Sequence, residues 1–289
     1  MDRRSFLKTG FLAAAGCALG TSGVSATAVA AEETKKIPFA LQVYSLREYA
    51  SKDMRGTLKE IAKMGYKGVE FAGYYGNDAK DVRKWLDEAG LQAISTHLSV
   101  PQLLEGAFDE TASFEMTLGN KRLIVASGLS ASCATDAGNQ MTAYLFNEIA
   151  YKAAKAGFQI GFHAHFNDFT DVNGKTAWEL FFSRTREDII AQMDVGNCMH
   201  GGADPYELVK KLPGRGKLMH VKAENEKGKG GATVAGPGDI VDWKKMFNIA
   251  ETVGGIEWYI VEQEDCRQGS NLMEACAECY ENLKKMGKV

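Results

Sequence analysis

The run Ile189-Ile190-Ala191-Gln192-Met193-Asp194 is short, mostly apolar and ends on a carboxylate. Lys217-Leu218-Met219-His220-Val221-Lys222 and Trp258-Tyr259-Ile260-Val261-Glu262 repeat the arrangement further along. Short apolar runs bounded by turn residues read as buried parallel strands. Working outward, strand candidates fall at 39–44, 68–71, 92–97, 122–126, 158–163, 189–194, 217–222 and 258–262. Helical stretches lie among them, such as 54–64, 79–88, 141–156, 205–211, 243–253 and 272–286. Gly65, Gly90, Gly157 and Gly254 each follow a helical stretch, where a left-handed residue closes a helix. Eight strands alternating with helices predict a parallel sheet, and eight is the number that closes into a barrel. An open doubly wound sheet would carry a glycine-rich dinucleotide loop after its first strand, and this chain has none there. The expected fold is a single (β/α)8 TIM barrel over residues 37–289. In such a barrel the glycine- and lysine-rich segment 227–238 leaves the seventh strand on the active-site face.

Composition agrees with one globular unit: 289 residues, 45% hydrophobic and 25% charged. A net charge of −3 and the lack of a basic arm argue against a nucleic-acid partner. The first residues differ from the rest. Arg3-Arg4-Ser5-Phe6-Leu7-Lys8 precedes an apolar run at 11–19 and then Ala28-Val29-Ala30. A charged start, an apolar middle and a small-residue cleavage site make residues 1–33 a signal peptide of the twin-arginine type. Cleavage between Ala30 and Glu33 would yield an exported, periplasmic protein. The run is too short to span a bilayer, so no membrane span is expected in the mature chain. Lipid attachment at Cys17, after Gly16, is the lesser alternative. Cys133, Cys198, Cys266, Cys276 and Cys279 are odd in number and spaced like no disulfide framework. Cys276 and Cys279 can share a helix face and read as packing residues.

The informative polar residues stand at strand ends. The chain has five histidines, His97, His163, His165, His200 and His220. Four of them end or directly follow a strand candidate, and His200 follows the sixth by a short loop. Asp194 and Glu262 end strands as well. Each has a bland reading: Asp194 as a helix cap, His220 as a hydrogen-bonded core histidine, Glu262 as half of an ion pair. A buried carboxylate at a strand end is costly without a partner or cation. In a barrel all these ends meet at one mouth, and together Asp194, His220 and Glu262 read as a metal site. Mixed imidazole and carboxylate donors suit Mn, Zn or Co better than Mg or Ca.

From about Phe39 onward the sequence resembles the xylose isomerase-like barrels, the sugar phosphate isomerase/epimerase and endonuclease IV superfamily. The resemblance rests on eight stretches in order. They are Leu41-Gln42-Val43-Tyr44-Ser45-Leu46-Arg47, Met64-Gly65-Tyr66-Lys67-Gly68-Val69-Glu70, Ser95-Thr96-His97, Gly161-Phe162-His163-Ala164-His165, Asp194-Val195-Gly196-Asn197, Gly202-Ala203-Asp204-Pro205, His220-Val221-Lys222 and Ile260-Val261-Glu262-Gln263. The resemblance implies a divalent metal held at the ends of strands five to eight. It carries over to Asp194, His220, Glu262 and, on strand five, His163, where the family most often has Glu. His165 lies two residues on and is the other candidate there; the one that does not hold the metal is left as a supporting partner of the ligands or as an acid/base. Glu70, His97, Lys222 and Gln42 are further pocket candidates, and Tyr44 can reach the pocket floor. Phe71, Tyr74, Tyr75 and Trp243 are aromatics that could stack on a sugar ring. Two departures remove carboxylates: Ala223 follows Lys222 where the family has Asp, and Gly236-Pro237-Gly238 stands for Gly-Glu-Gly.

The resemblance implies a small-molecule carbohydrate substrate and proton abstraction next to a carbonyl. Glu262 is the expected base, with His165 or Glu70 as its partner. The first expectation is a sugar isomerase or epimerase. The alternative is a lyase or hydratase performing β-elimination on 3-keto glycosides or inosose-like keto sugars. The His in place of a strand-five Glu favours elimination, which needs one base and one acid. A phosphodiesterase of the endonuclease type is disfavoured by the acidic balance. A metal-free sugar-binding protein is the remaining reading.

Overall fold

A computed structural model describes residues 36–127, 130–226 and 230–289. The proposed signal peptide and Cys17 lie outside the described residues, as does part of the 227–238 loop.

Eight parallel strands close into a barrel: β1 Phe39–Gln42, β2 Gly68–Phe71, β3 Gln92–Ser99, β4 Arg122–Ser127, β5 Gln159–His163, β6 Ile190–Asp194, β7 Leu218–Val221 and β8 Trp258–Val261. Closure is made by β1 pairing with β8, Ala40 opposite Ile260. The principal outer helices are α1 Met54–Met64, α2 Ala79–Ala89, α3 Phe108–Leu118, α4 Asp136–Lys155, α5 Ala177–Arg184, α6 Pro205–Lys210, α7 Trp243–Ile249 and α8 Leu272–Lys285. Asp53, Asp78, Thr135, Thr176, Asp204, Asp242 and Asn271 cap seven of these helices by accepting backbone N–H bonds. A small antiparallel ribbon, Asp171–Val172 with Lys175–Thr176, sits between β5 and α5.

Alternation along each strand sorts the residues. Leu41, Val69, Leu123, Phe162, Met193, Met219 and Tyr259 belong to the large core that includes buried side chains of the surrounding helices. Residues of the opposite parity belong to the barrel interior. There Ala40, Ile94, Ile124, Ile190, Leu218 and Ile260 form a separate buried cluster. Two residues further along each of β1, β6, β7 and β8 the interior becomes polar, at Gln42, Gln192, His220 and Glu262. On β3 a register shift opposite Val69 and Glu70 changes the parity. Below it Ile94 joins the apolar cluster; above it Ser95 and His97 turn toward Glu70.

Most helix ends match the sequence reading, and one differs in an instructive way. Gly65, Gly90 and Gly157 have the expected positive φ, but after α7 the left-handed residue is Gly255 rather than Gly254. Residues Ala250–Gly254 form a π turn, which inserts an extra residue before the chain can reverse. His200, expected in a loop, is the last residue of the short helix Val195–His200. The five described cysteines are thiols, and Cys276 and Cys279 are buried in the core. Among the described residues no helix is long and apolar enough to cross a membrane.

Candidate active site

Strands β5, β6 and β7 end on, or carry near their ends, His163, Asp194 and His220, and Glu262 directly follows β8. All four are buried, and one potential ligand atom from each lies within 4.8 Å of the others. His220 Nδ1 is 2.8 Å from Glu262 Oε2 and 3.8 Å from Asp194 Oδ2; His163 Nε2 is 4.0 Å from the same Asp194 oxygen. Asp194 Oδ1 accepts the Asn197 N–H at 2.8 Å, capping the helix that follows β6. Oδ2 is buried and receives no hydrogen bond. An orphaned buried carboxylate oxygen costs about 1–3 kcal/mol or more, which a bound cation would offset. Two imidazoles, two carboxylates and this unpaired oxygen fit a divalent transition metal.

The layer beneath orients these donors. Glu70, at 0% exposure, is its hub. Its Oε1 lies 2.6 Å from His220 Nε2, 2.8 Å from His97 Nε2 and 2.9 Å from Gln42 Nε2. Its Oε2 accepts from Ser95 Oγ at 2.5 Å and Gln192 Nε2 at 2.7 Å. With Nε2 donating to Glu70, His220 presents Nδ1 to the four-residue cluster. Gln192 does the same for His163: its Oε1 lies 3.0 Å from His163 Nδ1 and 2.9 Å from His97 Nε2, leaving His163 Nε2 toward Asp194. Carboxylate or amide partners behind a ligating histidine fix its tautomer and raise its basicity. The ring of His97 stacks on His220, with centroids 5.3 Å apart.

The electrostatics follow from this packing. Burial would raise the Glu70 carboxyl, but His97 and His220 override it and hold it well below the usual range. Burial works against the His220 imidazolium, yet Glu70 and Glu262 push its pKa up to about 10. Glu262 is likewise pulled down to about 2, chiefly by His220 against the cost of burial. Asp194, whose dominant influence is desolvation, is raised to about 6. His163 is lowered, first by burial and then by the neighbouring histidines. Burial lowers His165 as well, with only partial opposition from Glu262. Lys222 keeps its proton: burial disfavours it, but Asp194, Glu262 and Glu264 outweigh that.

Above the cluster the mouth holds two chambers. One, of about 580 Å³, is lined by His165, Asn197, Lys222 and Glu224 among others. The other, of about 410 Å³, is lined by Tyr44, His97, Ser99, Gln102 and His163 among others. His165, Glu262 and Glu264 line both. Lys222 Nζ is 2.9 Å from Glu264 Oε2 and 3.5 Å from Asn197 Oδ1. The glycine of Asp194-Val195-Gly196-Asn197 allows a close approach: a Cβ on Gly196 would come within 2.9 Å of the Lys222 carbonyl oxygen.

The sequence candidates therefore separate by depth. His163, Asp194, His220 and Glu262 converge. His165 stands outside the cluster, on the chamber wall, its ring edge-on to His163 at 4.9 Å. His97 and Lys222 reach the chambers; Glu70 and Gln42 lie beneath them, fully buried. Three aromatic candidates are committed elsewhere. Phe71 is core, Tyr74 donates to Glu115 at 2.7 Å and Trp243 to Asp239 at 2.5 Å. Gln192, Ser95, Asn197 and Glu264 were not anticipated. Gln192 was legible in principle, since it stands two residues before Asp194 and so shares its face.

Residues 58–283 match the family described as the xylose isomerase-like TIM barrel. The chain is similar to the inosose dehydratase of Clostridium botulinum strain Alaska E43, with 25% identity over 269 residues, 80% of this chain and 89% of the relative. The inosose dehydratase of Clostridium beijerinckii is 25% identical over 265 residues, 79% of this chain and 88% of the relative. A crystal structure of a sugar phosphate isomerase/epimerase from Parabacteroides distasonis superposes with a TM-score of 0.74 at 26% identity, covering 89% of this chain and 99% of that one. Closed barrel, strand-end donors and a match over most of the length agree: the chain belongs to the xylose isomerase-like TIM barrel family.

Proposed function

We propose that this protein is a metal-dependent enzyme acting on keto sugars, and that its reaction is β-elimination. The observation that carries the reading is the placement of His165. It lines both chambers beside Glu262 yet stands outside the four-residue cluster. The inosose dehydratases related to the chain over most of its length support the same class.

His163, Asp194, His220 and Glu262 would hold a divalent ion, with Mn, Zn or Co suited to the donor set. When bound, the ion supplies Lewis-acid polarisation of the substrate carbonyl. The remaining steps belong to side chains. His165 draws the proton from the carbon next to the carbonyl, imidazole being the side chain that exchanges protons near neutrality. The electron pair left behind forms a carbon–carbon double bond, and the carbon–oxygen bond one position further on breaks. The departing oxygen takes a proton from His165, so water or an alcohol leaves and the imidazole returns to its starting form. The Lys222 ammonium, fixed by Glu264, opposes the negative charge that grows on the carbonyl oxygen. The sequence pointed to Glu262 as base. The geometry favours His165, because Glu262 Oε2 is tied to His220 and grouped with the ligands. Glu70 becomes a positioning residue rather than a proton carrier, since both of its oxygens are occupied below the mouth.

Isomerisation uses the same first proton transfer and is favoured by the similarity to the Parabacteroides protein. Incubating the metal-loaded enzyme in deuterium oxide with a keto-inositol and with free ketoses separates the two. Loss of water to an unsaturated ketone is expected. Deuterium uptake into an otherwise unchanged ketose, with no elimination from any substrate, would overturn the lyase reading. A purified protein that retains no metal and turns over nothing would point to sugar binding alone. Residues 1–33 further propose export to the periplasm, where free or glycosidic sugars are commoner substrates than sugar phosphates. Recovery of the full-length product only in the cytoplasmic fraction would sink that part.

A further inference from the structure

His165 stands one step beyond the sheet. β5 ends at His163, and on its β6 side the last ladder bond runs from the Ala164 N–H to the Gln192 carbonyl at 3.1 Å. His165 is still extended, with φ −112° and ψ 161°. Strand alternation therefore carries its half-buried ring up the same face as His163 and one level higher, to the chambers. Among the described residues no strand pairs with it. Both of its backbone polar groups go instead to Asp168. Asp168 Oδ2 accepts the His165 N–H at 2.7 Å, and the Asp168 N–H donates to the His165 carbonyl at 2.9 Å. A carboxylate acceptor makes the first of these stronger than the amide–carbonyl bond a strand would have offered. Asp168 is itself 1% exposed, so substrate does not reach it. The residues on either side complete the clamp. The Ala164 carbonyl accepts from Asn197 Nδ2 at 3.0 Å, so every polar backbone group of Ala164 and His165 is bonded. The turn Phe166–Phe169 sits directly on Gly201, where a Cβ would come within 2.5 Å of the Phe166 carbonyl oxygen.

Resting on the reading of His165 as the group that moves the proton, we infer that Asp168 is a positioning residue for the reaction. It stands in for the strand neighbour that His165 lacks and fixes the imidazole on the wall shared by the two chambers. Its bonds go to the His165 backbone, so it shapes where the ring stands and takes no part in carrying the proton. In this it differs from Glu70, which works on the imidazole of His220 itself. Without Asp168 the His165 peptide has no partner to hold it extended, and the ring loses its fixed height above His163. A misplacement of about 1 Å can lower turnover about 100-fold. The four metal donors hang on other bonds, so the loss falls on kcat rather than on metal or substrate binding.

The test uses the zinc-loaded full chain with a keto-inositol. Asp168→Ala is expected to lower kcat about 30–100-fold, with KM within about threefold of wild type and zinc content unchanged. Asp168→Asn keeps an acceptor in the same place and should bring kcat back to within about fivefold. Asn147→Ala is the matched control. It loses a similar pair of side-chain bonds to backbone, from Nδ2 to the Arg184 carbonyl and from the Arg186 N–H to Oδ1, far from the chambers. Its kcat should not change. Wild-type kcat in Asp168→Ala, or an equal fall in Asn147→Ala, would overturn the inference. Should Asp168→Ala yield no folded protein, Asp168→Glu displaces the acceptor by one methylene and is expected to lower kcat at least tenfold; wild-type kcat there counts equally against it. An NMR readout needs no turnover. With labelled histidine, a nuclear Overhauser contact between the His163 and His165 rings, whose centroids lie 4.9 Å apart, is expected in the wild type and in Asp168→Asn and lost in Asp168→Ala. Its persistence in Asp168→Ala would overturn the inference. Elimination retained in His165→Gln would sink the reading of His165 as proton carrier, whereas loss of the ring contact in Asp168→Ala would still sustain its placement by Asp168.

Discussion

Two layers of the barrel interior, one above the other along the strands, are both largely buried and built in opposite ways. The lower layer is Ala40, Ile94, Ile124, Ile190, Leu218 and Ile260, with Trp258 against it. It excludes water by close packing, and Gly68 and Gly161 are part of the fit. A Cβ on Gly161 would come within 2.5 Å of Ile124 Cδ1 and 3.0 Å of Ile190 Cβ. Neither glycine has a positive φ, so it is space and not backbone conformation that requires them. The upper layer is Gln42, Glu70, Ser95, His163, Gln192, Asp194, His220 and Glu262, all buried, with the half-buried His97 among them. It is held by hydrogen bonds converging on Glu70, with one oxygen of Asp194 left over. The difference teaches where stability is set aside for chemistry. A substitution below should change folding and leave the site's donors intact. A substitution above should change both, because the network that orients the donors also neutralises the charges buried there.

The largest break is expected at Glu70. Removing its carboxylate leaves His220 buried with half its charge compensation, and deleting one partner of a buried pair costs about 3–5 kcal/mol. Glu70→Ala should therefore lower the unfolding free energy by that order in urea titrations. Glu70→Gln, which keeps the volume, should weaken metal affinity about 10–100-fold by failing to fix the His220 tautomer. Wild-type stability in Glu70→Ala would show that the upper layer is not a network. Next in size is the metal itself. At about 100 times its dissociation constant a ligand of the native state adds about 2.7 kcal/mol. Mn or Zn should raise the melting temperature of the wild type accordingly and leave Asp194→Asn unmoved. An equal shift in Asp194→Asn would place the ion elsewhere.

How much of this was legible before folding differs between the same two layers. The strands were readable because each is a short apolar run bounded by turn residues, and burial on both faces follows from that pattern. Asp194, His220 and Glu262 were readable because each interrupts such a run at its end. Their partners were not. Gln42 and Glu70 were found as pocket candidates, but nothing local shows that they point below the mouth rather than into it. Gln192 shares a strand face with Asp194 in the sequence, but its partners do not show there, since it takes β2, β3 and β5 to bring Glu70, His97 and His163 around its amide. The β3 irregularity that turns Ser95 and His97 inward depends on pairing with β2, a contact no residue in 92–99 announces by itself. Gly255 in place of Gly254 is the same lesson on a smaller scale, since a π turn is set by packing rather than by a residue type.

The smallest effects test whether the lower layer is a jigsaw. Gly161→Ala should cost about 1–3 kcal/mol, because the new methyl meets the Ile190 carbonyl oxygen at 3.1 Å as well as two isoleucine side chains. Metal binding should persist in the folded fraction, since none of the four donors lies in that layer. Ile124→Val alone should cost about 0.5–1.5 kcal/mol, the usual effect of one lost methyl in a core. In the double variant the two changes should not add. Valine lacks the Cδ1 atom that the alanine methyl strikes first, so part of the overpacking disappears with it. Relief is incomplete, because the Ile190 backbone oxygen is still there and cannot rotate away. A double-mutant cycle in urea should show the pair less destabilised than the sum by about 0.5 kcal/mol or more, within the range of contacting residues. Strict additivity would mean that the layer relaxes around the new methyl, and the contrast with the hydrogen-bonded layer above it would then be one of chemistry and not of rigidity.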